Sequence, residues 1–289
     1  MMSKTILVTG ANGQLGNEMR EILNGNAAFS PIFTDVQELD ITSRHAIDSF
    51  FDNHHIDYVV NCAAYTAVDN AEDNVELCTQ LNADAVEYLA EASKRVGAKM
   101  IQVSTDYVFD GCGFRPYRED DSTSPCSVYG STKLEGERRM CACLDDAIIF
   151  RTAWLYSPFG KNFVKTMLTL GKTKESLKVI FDQVGTPTYA KDLAEAIFTA
   201  LSSPEWHSGI YHFSDEGAIS WYDFTKAIHR IAGITTCKVY PCTTAEYPTK
   251  AKRPHYSVLD KSKYKSVFKA SIPYWEDSLK DCINRLENK

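Results

Sequence analysis

The stretch TILVTGANGQLGNEM, residues 5–19, places three glycines between an apolar run and a sequence with helical spacing. A strand that turns sharply into a helix leaves backbone N–H groups at the helix N-terminus, where a pyrophosphate can bind. Residues without a Cβ are favoured there because the backbone approaches the phosphates closely. The glycines, Gly10, Gly13 and Gly16, have GxxGxxG spacing rather than GxGxxG. The stretch therefore predicts a dinucleotide-binding strand–turn–helix unit.

Apolar, β-branched runs alternate with helical patterns beyond this unit. The predicted strands are 5–9, 31–34, 58–61, 99–104, 147–151 and 178–181, and the clearest helices are 75–96, 161–170 and 190–202. This alternation predicts an α/β fold, a doubly wound, Rossmann-like parallel sheet with a smaller C-terminal substrate-binding region. We assign residues 1–155 to the dinucleotide-binding domain, with 178–203 returning to it. Residues 156–177 and 204–289 are assigned to the substrate-binding region.

Composition excludes several classes of protein. The 289 residues carry a net charge of −7, which argues against a general nucleic-acid binder. No apolar run approaches the ~20 residues that span a bilayer. Nine cysteines occur without a CxxC pair, as in proteins with reduced thiols. The sequence therefore predicts a cytoplasmic protein that binds neither nucleic acid nor membrane.

Acidic residues after the second strand bear on the choice of cofactor. Asp35 stands where a carboxylate can accept hydrogen bonds from an adenosine ribose. Asp40 and Ile41 follow in a loop that can flank an adenine ring. A carboxylate at Asp35 would repel a 2′-phosphate and favour NADH, unless a nearby Lys or Arg reverses this preference. The expected cofactor is therefore NADH or NADPH.

A candidate reaction centre combines a strand end with the start of a helix. Thr105 and Asp106 end the fourth strand, and Tyr129 and Lys133 are four residues apart on one helix face. The ammonium is expected to lower the pKa of the phenol, which would then protonate a carbonyl oxygen as hydride arrives. Thr105 would orient the same oxygen, and Lys133 would reach the nicotinamide ribose. Pro125 disfavours helix at the preceding residue, which predicts a helix that starts near Tyr129.

Two further residues have alternative interpretations. Trp154 lies just past a strand end, where an indole either stacks on a hexose or belongs to the core. Arg253 lies in a short basic run with Lys250 and Lys252. Its guanidinium suits paired phosphate oxygens, and solvated surface charge is the alternative interpretation.

These motifs together resemble the extended short-chain dehydrogenase/reductase family, and within it the dTDP-4-dehydrorhamnose reductases. The resemblance rests on the glycine loop, NCAAYTAVD (61–69), STDYVFDG (104–111) and the YxxxK pair at 129–133. It extends through FRTAWLYSPFGKNFVKTML (150–168), DQVGTPTYAKDLA (182–194) and YPTKAKRPHYSVLD (247–260), and so covers essentially the whole chain. The later segments are more specific than the glycine loop.

The resemblance implies roles for individual residues. Thr105, Tyr129 and Lys133 would form the catalytic set. Asp106 and Trp154 would contact the sugar, with Thr105 on the same side, and Arg253 would help to hold the diphosphate. The expected substrate is a dTDP-linked 4-keto-6-deoxyhexose that is reduced at C4. The residues expected to contact the cofactor, besides Tyr129 and Lys133, are Gly10, Asn12, Gly13, Gln14, Leu15, Gly16, Asp35, Asp40, Ile41, Ala63, Ala64 and Tyr65.

One position departs from the family pattern. Some members bridge two chains through magnesium held by acidic side chains, and Glu18 matches one such position. Lys191 stands where another acid would be, and a cation there opposes metal binding. We therefore expect no metal, and the resemblance leaves a homodimer open.

Three alternative functions remain. Sugar-nucleotide dehydratases of the same family have Asp-Glu after the threonine, whereas Tyr107 follows Asp106 here, which disfavours dehydration. Another nucleotide-sugar reductase or epimerase is the second alternative. The regulatory subunit of methionine adenosyltransferase also resembles this family and keeps YxxxK, so the motif alone does not establish catalysis.

Overall fold

The computed structural model of the protein describes residues 3–288, so residues 1, 2 and 289 of the predicted domains lie outside the described part. Its strands are β1 (Lys4–Thr9), β2 (Phe29–Phe33), β3 (Tyr58–Asn61), β4 (Lys99–Thr105), β5 (Ala147–Thr152), β6 (Leu155–Tyr156), β7 (Ser176–Ile180), β8 (Val184–Gly185), β9 (Thr188–Tyr189), β10 (Gly209–His212), β11 (Ile219–Ser220) and β12 (Lys238–Cys242). Its α-helices are α1 (Gln14–Leu23), α2 (Arg44–Asn53), α3 (Val68–Ala71), α4 (Val75–Thr79), α5 (Ala85–Val96), α6 (Val128–Cys143), α7 (Phe163–Thr173), α8 (Ala190–Ser202), α9 (Trp221–Ile231), α10 (Ser262–Phe268) and α11 (Trp275–Glu287).

Six strands form the central sheet in the order β10-β5-β4-β3-β1-β2, and every neighbouring pair is parallel. The predicted α/β fold with a doubly wound parallel sheet is therefore confirmed. The chain passes from β1 to β2 on one side and continues with β3 on the other. Ligands of such sheets bind at this change of direction, at the carboxyl ends of the strands. The glycine loop follows β1 at this point.

Both faces of the sheet are covered because successive strand side chains point in opposite directions. Ile6 and Val8 pack on one face into a core with α1 and α8. Leu7 points the other way, into a core with α2, α5 and the end of α6. A parallel sheet buried on both faces explains why the predicted strands are continuous apolar runs.

The C-terminal region has a core of its own, in which α7, α9 and α11 enclose aromatic side chains such as Phe224 and Trp275. Its boundaries differ from the predicted ranges in two stretches. β10 belongs to the central sheet beside β5, and β7 pairs with β12 outside that sheet. Elsewhere the division into two regions stays a prediction.

Glu18, the match to a magnesium-binding position in the family, faces a cation. It is 1% exposed, and both of its carboxylate oxygens lie 3.1 Å from Nη1 of Arg285. Lys191 pairs with Asp281 at 3.2 Å. Within residues 3–288, no group of three or more His, Cys, Asp or Glu side chains is arranged to hold a metal ion. The absence of a functional metal stays a prediction.

Two buried carboxyl groups, Asp192 and Asp215, interact electrostatically between α8 and the loop after β10. Asp192 accepts a hydrogen bond from Ser278 at 2.5 Å, and Asp215 accepts one from the Tyr189 amide at 3.0 Å. Burial raises the pKa of Asp192 to about 6, and burial together with Asp192 raises the pKa of Asp215 well above its ordinary value. The folded protein therefore holds protons here that the unfolded chain releases.

This pair should make the protein less stable as pH rises. An acid with a raised pKa in the folded state stabilises the fold below its ordinary pKa, and this contribution is lost as pH rises through the folded value. We therefore expect Asp215→Asn to raise the free energy of unfolding at pH 8 by about 1–3 kcal/mol, with little effect at pH 4. Urea unfolding of the wild type and the variant at both pH values measures this. Asp145→Asn, at an exposed loop position, is the matched control. A destabilised variant at pH 8 would contradict the assignment.

Candidate active site

A cavity of about 900 Å³ opens at the carboxyl ends of β1, β3 and β4. It begins at the glycine loop and reaches the segment after β5. The predicted site residues that line it are Gly10, Gly13, Gln14, Leu15, Asp35, Asp40, Ile41, Ala63, Ala64, Thr105, Asp106, Tyr129, Lys133 and Trp154. Asn12, Gly16, Tyr65 and Arg253 are not among its lining residues. The fold thus brings both halves of the predicted site to one cavity.

The glycine loop is shaped by close backbone contacts. Gly10 has φ of 61°, and a Cβ there would lie 2.7 Å from the Ala63 amide nitrogen. A Cβ on Gly16 would lie 2.4 Å from the carbonyl oxygen of Gly10. Gly16 therefore lets α1 pack against the loop, while Gly10 and Gly13 face the cavity. Gly13 is the N-cap of α1, and an anion at this end meets free backbone N–H groups.

Asp35 lines the cavity after β2 and is held there by two backbone amides. Its carboxylate accepts hydrogen bonds from Val36 at 2.8 Å and Asn12 at 3.1 Å. Asn12 therefore supports Asp35 rather than lining the cavity. The lysines and arginines that line the cavity in the described structure are Lys133 and Lys161. Neither of these lysines is close to Asp35 in the sequence.

Thr105 and Asp106 occupy the end of β4 and the 3₁₀ turn after it (Asp106–Val108). The Thr105 hydroxyl donates to Asp106 at 3.0 Å and accepts from the Tyr107 amide at 3.2 Å. Asp106 is 1% exposed. Burial raises the pKa of Asp106 to about 6, against the hydroxyls of Ser257 and Thr105, which lower it. The hydroxyl of Thr105 is thus fixed in orientation at the floor of the cavity.

Tyr129 stands in the first turn of α6, as the position of Pro125 predicted. Ser127 caps this helix by accepting a hydrogen bond from the Gly130 amide at 3.1 Å. A Cβ on Gly130 would lie 2.3 Å from the carbonyl oxygen of Tyr107, so glycine lets the helix approach the turn after β4. The rings of Tyr107 and Tyr129 meet edge to face at 5.5 Å. This packing brings the Tyr129 phenol within reach of Thr105.

The structure corrects the expected effect of Lys133 on Tyr129. Burial raises the pKa of the Tyr129 phenol above its ordinary value, although the contact with Thr105 lowers it. The ammonium of Lys133 donates instead to the carbonyl oxygen of Val103 at 2.7 Å. Burial lowers the pKa of Lys133 to about 8. At neutral pH the phenol therefore keeps its proton, which is the form that a proton donor needs.

Trp154 lies at the far end of the cavity and stacks on another indole. Its ring is 3.5 Å from that of Trp221, with the planes 11° apart. Its φ of 48° lies in the left-handed region, which costs about 1–3 kcal/mol for a bulky residue. Both rings line the cavity, so Trp154 borders the site and also packs on the C-terminal region.

Arg253 forms an ion pair outside the cavity. Its two terminal nitrogens lie 3.0 and 2.6 Å from the carboxylate oxygens of Asp69. The side chain is 20% exposed. Arg253 would therefore have to share its guanidinium with Asp69 in order to hold a diphosphate.

Sequence reasoning missed several lining residues, among them Gly160, Lys161, Asn162 and Trp221. Asn162 is the N-cap of α7 and donates to Gln14 at 2.9 Å, which joins the glycine loop to the C-terminal region. An asparagine before an apolar helical run is a cap signal that could have located the start of α7. No comparable signal identified Trp221, because its place depends on the long-range contact with Trp154.

One cavity thus combines a glycine loop at the change of sheet direction, a carboxylate after β2 and a Tyr–Lys pair, and this combination is typical of one class of protein. It is that of Rossmann-type, nicotinamide-dependent oxidoreductases of the extended short-chain dehydrogenase/reductase type. Within residues 3–288, no helix is long and apolar enough to cross a membrane.

Comparison with known proteins narrows the class. Residues 4–288 match the family described as RmlD substrate binding domain. A dTDP-4-dehydrorhamnose reductase of Escherichia coli (strain K12) is 41% identical over 293 residues, which cover 97% of each chain. The crystal structure of a dTDP-4-dehydrorhamnose reductase from Clostridium acetobutylicum is 47% identical, with a TM-score of 0.94 over 98% of this chain and 99% of the other. That from Bacillus anthracis, in complex with NADP, is 36% identical, with a TM-score of 0.94 over 98% and 100%. The chain belongs to the RmlD substrate binding domain family.

Proposed function

We propose that the protein reduces the C4 keto group of dTDP-4-dehydro-L-rhamnose to give dTDP-L-rhamnose, with NADH or NADPH as the reductant. The observation that carries this proposal is the meeting of Thr105, Tyr129 and Lys133 at the cavity that begins at Gly10. The relatives described above are dTDP-4-dehydrorhamnose reductases by name. Each of them aligns with essentially the whole of this chain. A nucleotide sugar is accordingly the proposed substrate, and a homodimer stays untested.

The cavity fits a nicotinamide dinucleotide. The pyrophosphate would lie against the backbone of Gly10 and Gly13, which line the cavity at the N-terminus of α1. Asp35 would accept hydrogen bonds from the adenosine ribose, and Asp40 and Ile41 would border the adenine. Ala63 and Ala64, after β3, would leave room for the remainder of the cofactor. When bound, the reduced cofactor supplies hydride to the sugar carbonyl.

The side chains of the reaction centre would divide the remaining work. Thr105 would hold the carbonyl oxygen of the sugar by turning its hydroxyl proton from Asp106 to this oxygen, while the Tyr107 amide still donates to the hydroxyl. Tyr129 would give its proton to this oxygen as negative charge develops on it. Lys133 would bind the ribose hydroxyls and stabilise the phenolate that remains. Trp154 would offer its indole to the apolar side of the sugar ring.

A spectrophotometric assay tests this function. The purified protein should consume NADH or NADPH, seen as a loss of nicotinamide absorbance, when dTDP-4-dehydro-L-rhamnose is added. The corresponding alcohol, dTDP-L-rhamnose, is the control and should cause no consumption. The absence of consumption with either cofactor would favour the regulatory-subunit alternative.

Asp35 should set the preference between the two cofactors. Because its carboxylate would repel a 2′-phosphate, the wild type should have a higher kcat/KM with NADH than with NADPH. Asp35→Asn should lower the ratio of kcat/KM with NADH to kcat/KM with NADPH by about tenfold. The substitution removes a repulsion between the carboxylate and the 2′-phosphate that is worth about 1.4 kcal/mol. Asp40→Asn removes a second lining carboxylate, one that accepts hydrogen bonds from Thr42, and should have a smaller effect. A wild type that prefers NADPH would contradict this prediction, and NADP bound to the Bacillus anthracis relative makes the measurement informative.

A further inference from the structure

A fully buried ion pair lies directly behind the reaction centre. Glu137 is 3% exposed, and its carboxylate oxygens lie 2.7 Å from Nη2 and 3.0 Å from Nε of Arg151, which is also 3% exposed. The hydroxyl of Ser104 donates to the same carboxylate. Burying two charges costs several kcal/mol per ion, and this cost is offset only by good geometry and further hydrogen bonds. The pair therefore adds little net stability by itself.

The pair joins the three elements that carry the reaction centre. Ser104 precedes Thr105 on β4, and Arg151 precedes Thr152, another lining residue, on β5. Glu137 lies one helical turn after Lys133 on α6, and residues four apart share a helix face. The guanidinium of Arg151 also lies 5.3 Å from the ring centroid of Phe109. A shift of Glu137 would therefore disturb all three elements at their active-site ends.

Lys133 needs a negative charge nearby because it is 4% exposed. Burial alone would favour its neutral form. The titratable groups that act on it are Glu137 from α6 and Cys78 from α4. Glu137 acts most strongly against burial and raises the pKa of Lys133, followed by Cys78. Cys78 is a buried thiol whose own pKa burial raises, so Glu137 is the charged partner.

We propose that Glu137 is a positioning residue, which keeps Lys133 in its ammonium form and is itself held in place by Arg151 and Ser104. This inference rests on the proposed function, in which the ammonium of Lys133 binds the cofactor. Glu137 does not line the cavity and acts only through Lys133 and Ser104. The charge of Glu137 thus extends the pH range in which the enzyme binds NADH.

The pH profile of kcat/KM for NADH tests this role, because it reports the groups of the free enzyme. In the wild type, kcat/KM should fall above about pH 8 as Lys133 loses its proton. Glu137→Gln should move this fall to lower pH by about one unit, since the attracting charge is gone. Glu135→Gln, on the exposed side of the same helix and paired with Arg139, should leave the profile unchanged.

Glu137→Gln leaves Arg151 buried without a partner, so a second variant protects the test against misfolding. Glu137→Gln/Arg151→Met removes both charges at similar volume and should show a smaller shift in the same direction. A folded variant of either kind with an unchanged profile would overturn the proposal. The variant Lys133→Met tests the role of Lys133 separately from that of Glu137. Its kcat/KM for NADH should not fall above pH 8. A fall that persists in Lys133→Met would overturn the proposed role of Lys133 and this inference with it.

Discussion

Tyr129→Phe should lower kcat by roughly 10²- to 10⁴-fold, because it removes the proton donor and little else. The ring of residue 129 still packs edge to face on Tyr107, and the contact that is lost is the one between the phenol and Thr105. Affinity for NADH should therefore stay within about twofold, since an interaction made only in the transition state is the one removed. Turnover follows from NADH consumption, and affinity from the quenching of protein fluorescence.

A matched change away from the cavity makes this result specific. Tyr88 lies on α5 beside Arg44 and outside the lining set, so Tyr88→Phe should keep wild-type turnover. Tyr129→Phe with turnover like that of Tyr88→Phe would remove Tyr129 from the mechanism. The alternative proton donor would then be Asp106, because burial raises the pKa of its carboxyl to about 6.

Lys133→Met should impair both cofactor binding and turnover. The substitution keeps the volume of the buried stem but removes a charged donor, whose hydrogen bonds are worth about 1.5–3 kcal/mol. Affinity for NADH should fall by roughly 10- to 100-fold, and kcat should fall as well, because in the proposed mechanism this ammonium stabilises the phenolate of Tyr129. Binding titrations and steady-state rates measure the two effects separately.

Lys94→Met, at an exposed position on α5, controls for the loss of a lysine. A variant at Lys133 that loses turnover but binds NADH normally would leave Lys133 a purely catalytic role. Normal binding together with normal turnover would contradict both of its proposed roles. The variants at Tyr129 and Lys133 thus distinguish the proposed proton donor from the residue that is proposed to bind the cofactor.

Much of the fold followed from local patterns in the sequence. The predicted strand 58–61 and helix 190–202 have the observed bounds of β3 and α8, because both are apolar segments with clear breaks at their ends. The predicted helix 75–96 is interrupted by a π-helical segment, Gln80–Asp84. Within it, Asn82 exchanges two hydrogen bonds with the backbone of Tyr65. No local pattern indicates this segment, because the Tyr65 backbone that Asn82 holds lies in a loop far away in the chain.

Site residues near strand ends were predictable for a similar reason. Gly10, Asp35, Ala63 and Thr105 each follow or end a parallel strand, and the fold brings such positions together. Contacts between distant segments were not predictable. The ion pair of Arg253 with Asp69 joins residues far apart in the chain, and neither residue signals the other.

The direction of the Tyr129 pKa was predicted wrongly because the sequence gives spacing but not burial. Lys133 is on the expected helix face, yet its ammonium donates to Val103 and the phenol is enclosed. The spacing of four residues therefore predicted that both side chains line one cavity, which the structure shows, but it predicted their electrostatics incorrectly. The buried partner Glu137 was missed for the same reason, since a glutamate on α6 reads as a surface residue until the packing of Arg151 is known.

The central claim is that hydride goes to C4 of the sugar at this cavity. NADH that carries deuterium at the transferred position of the nicotinamide C4 tests it most directly, with the sugar product analysed by NMR. We predict deuterium at C4 of the rhamnosyl ring and at no other ring carbon. A reduced product without deuterium at C4, or with the label at another carbon, would contradict the account.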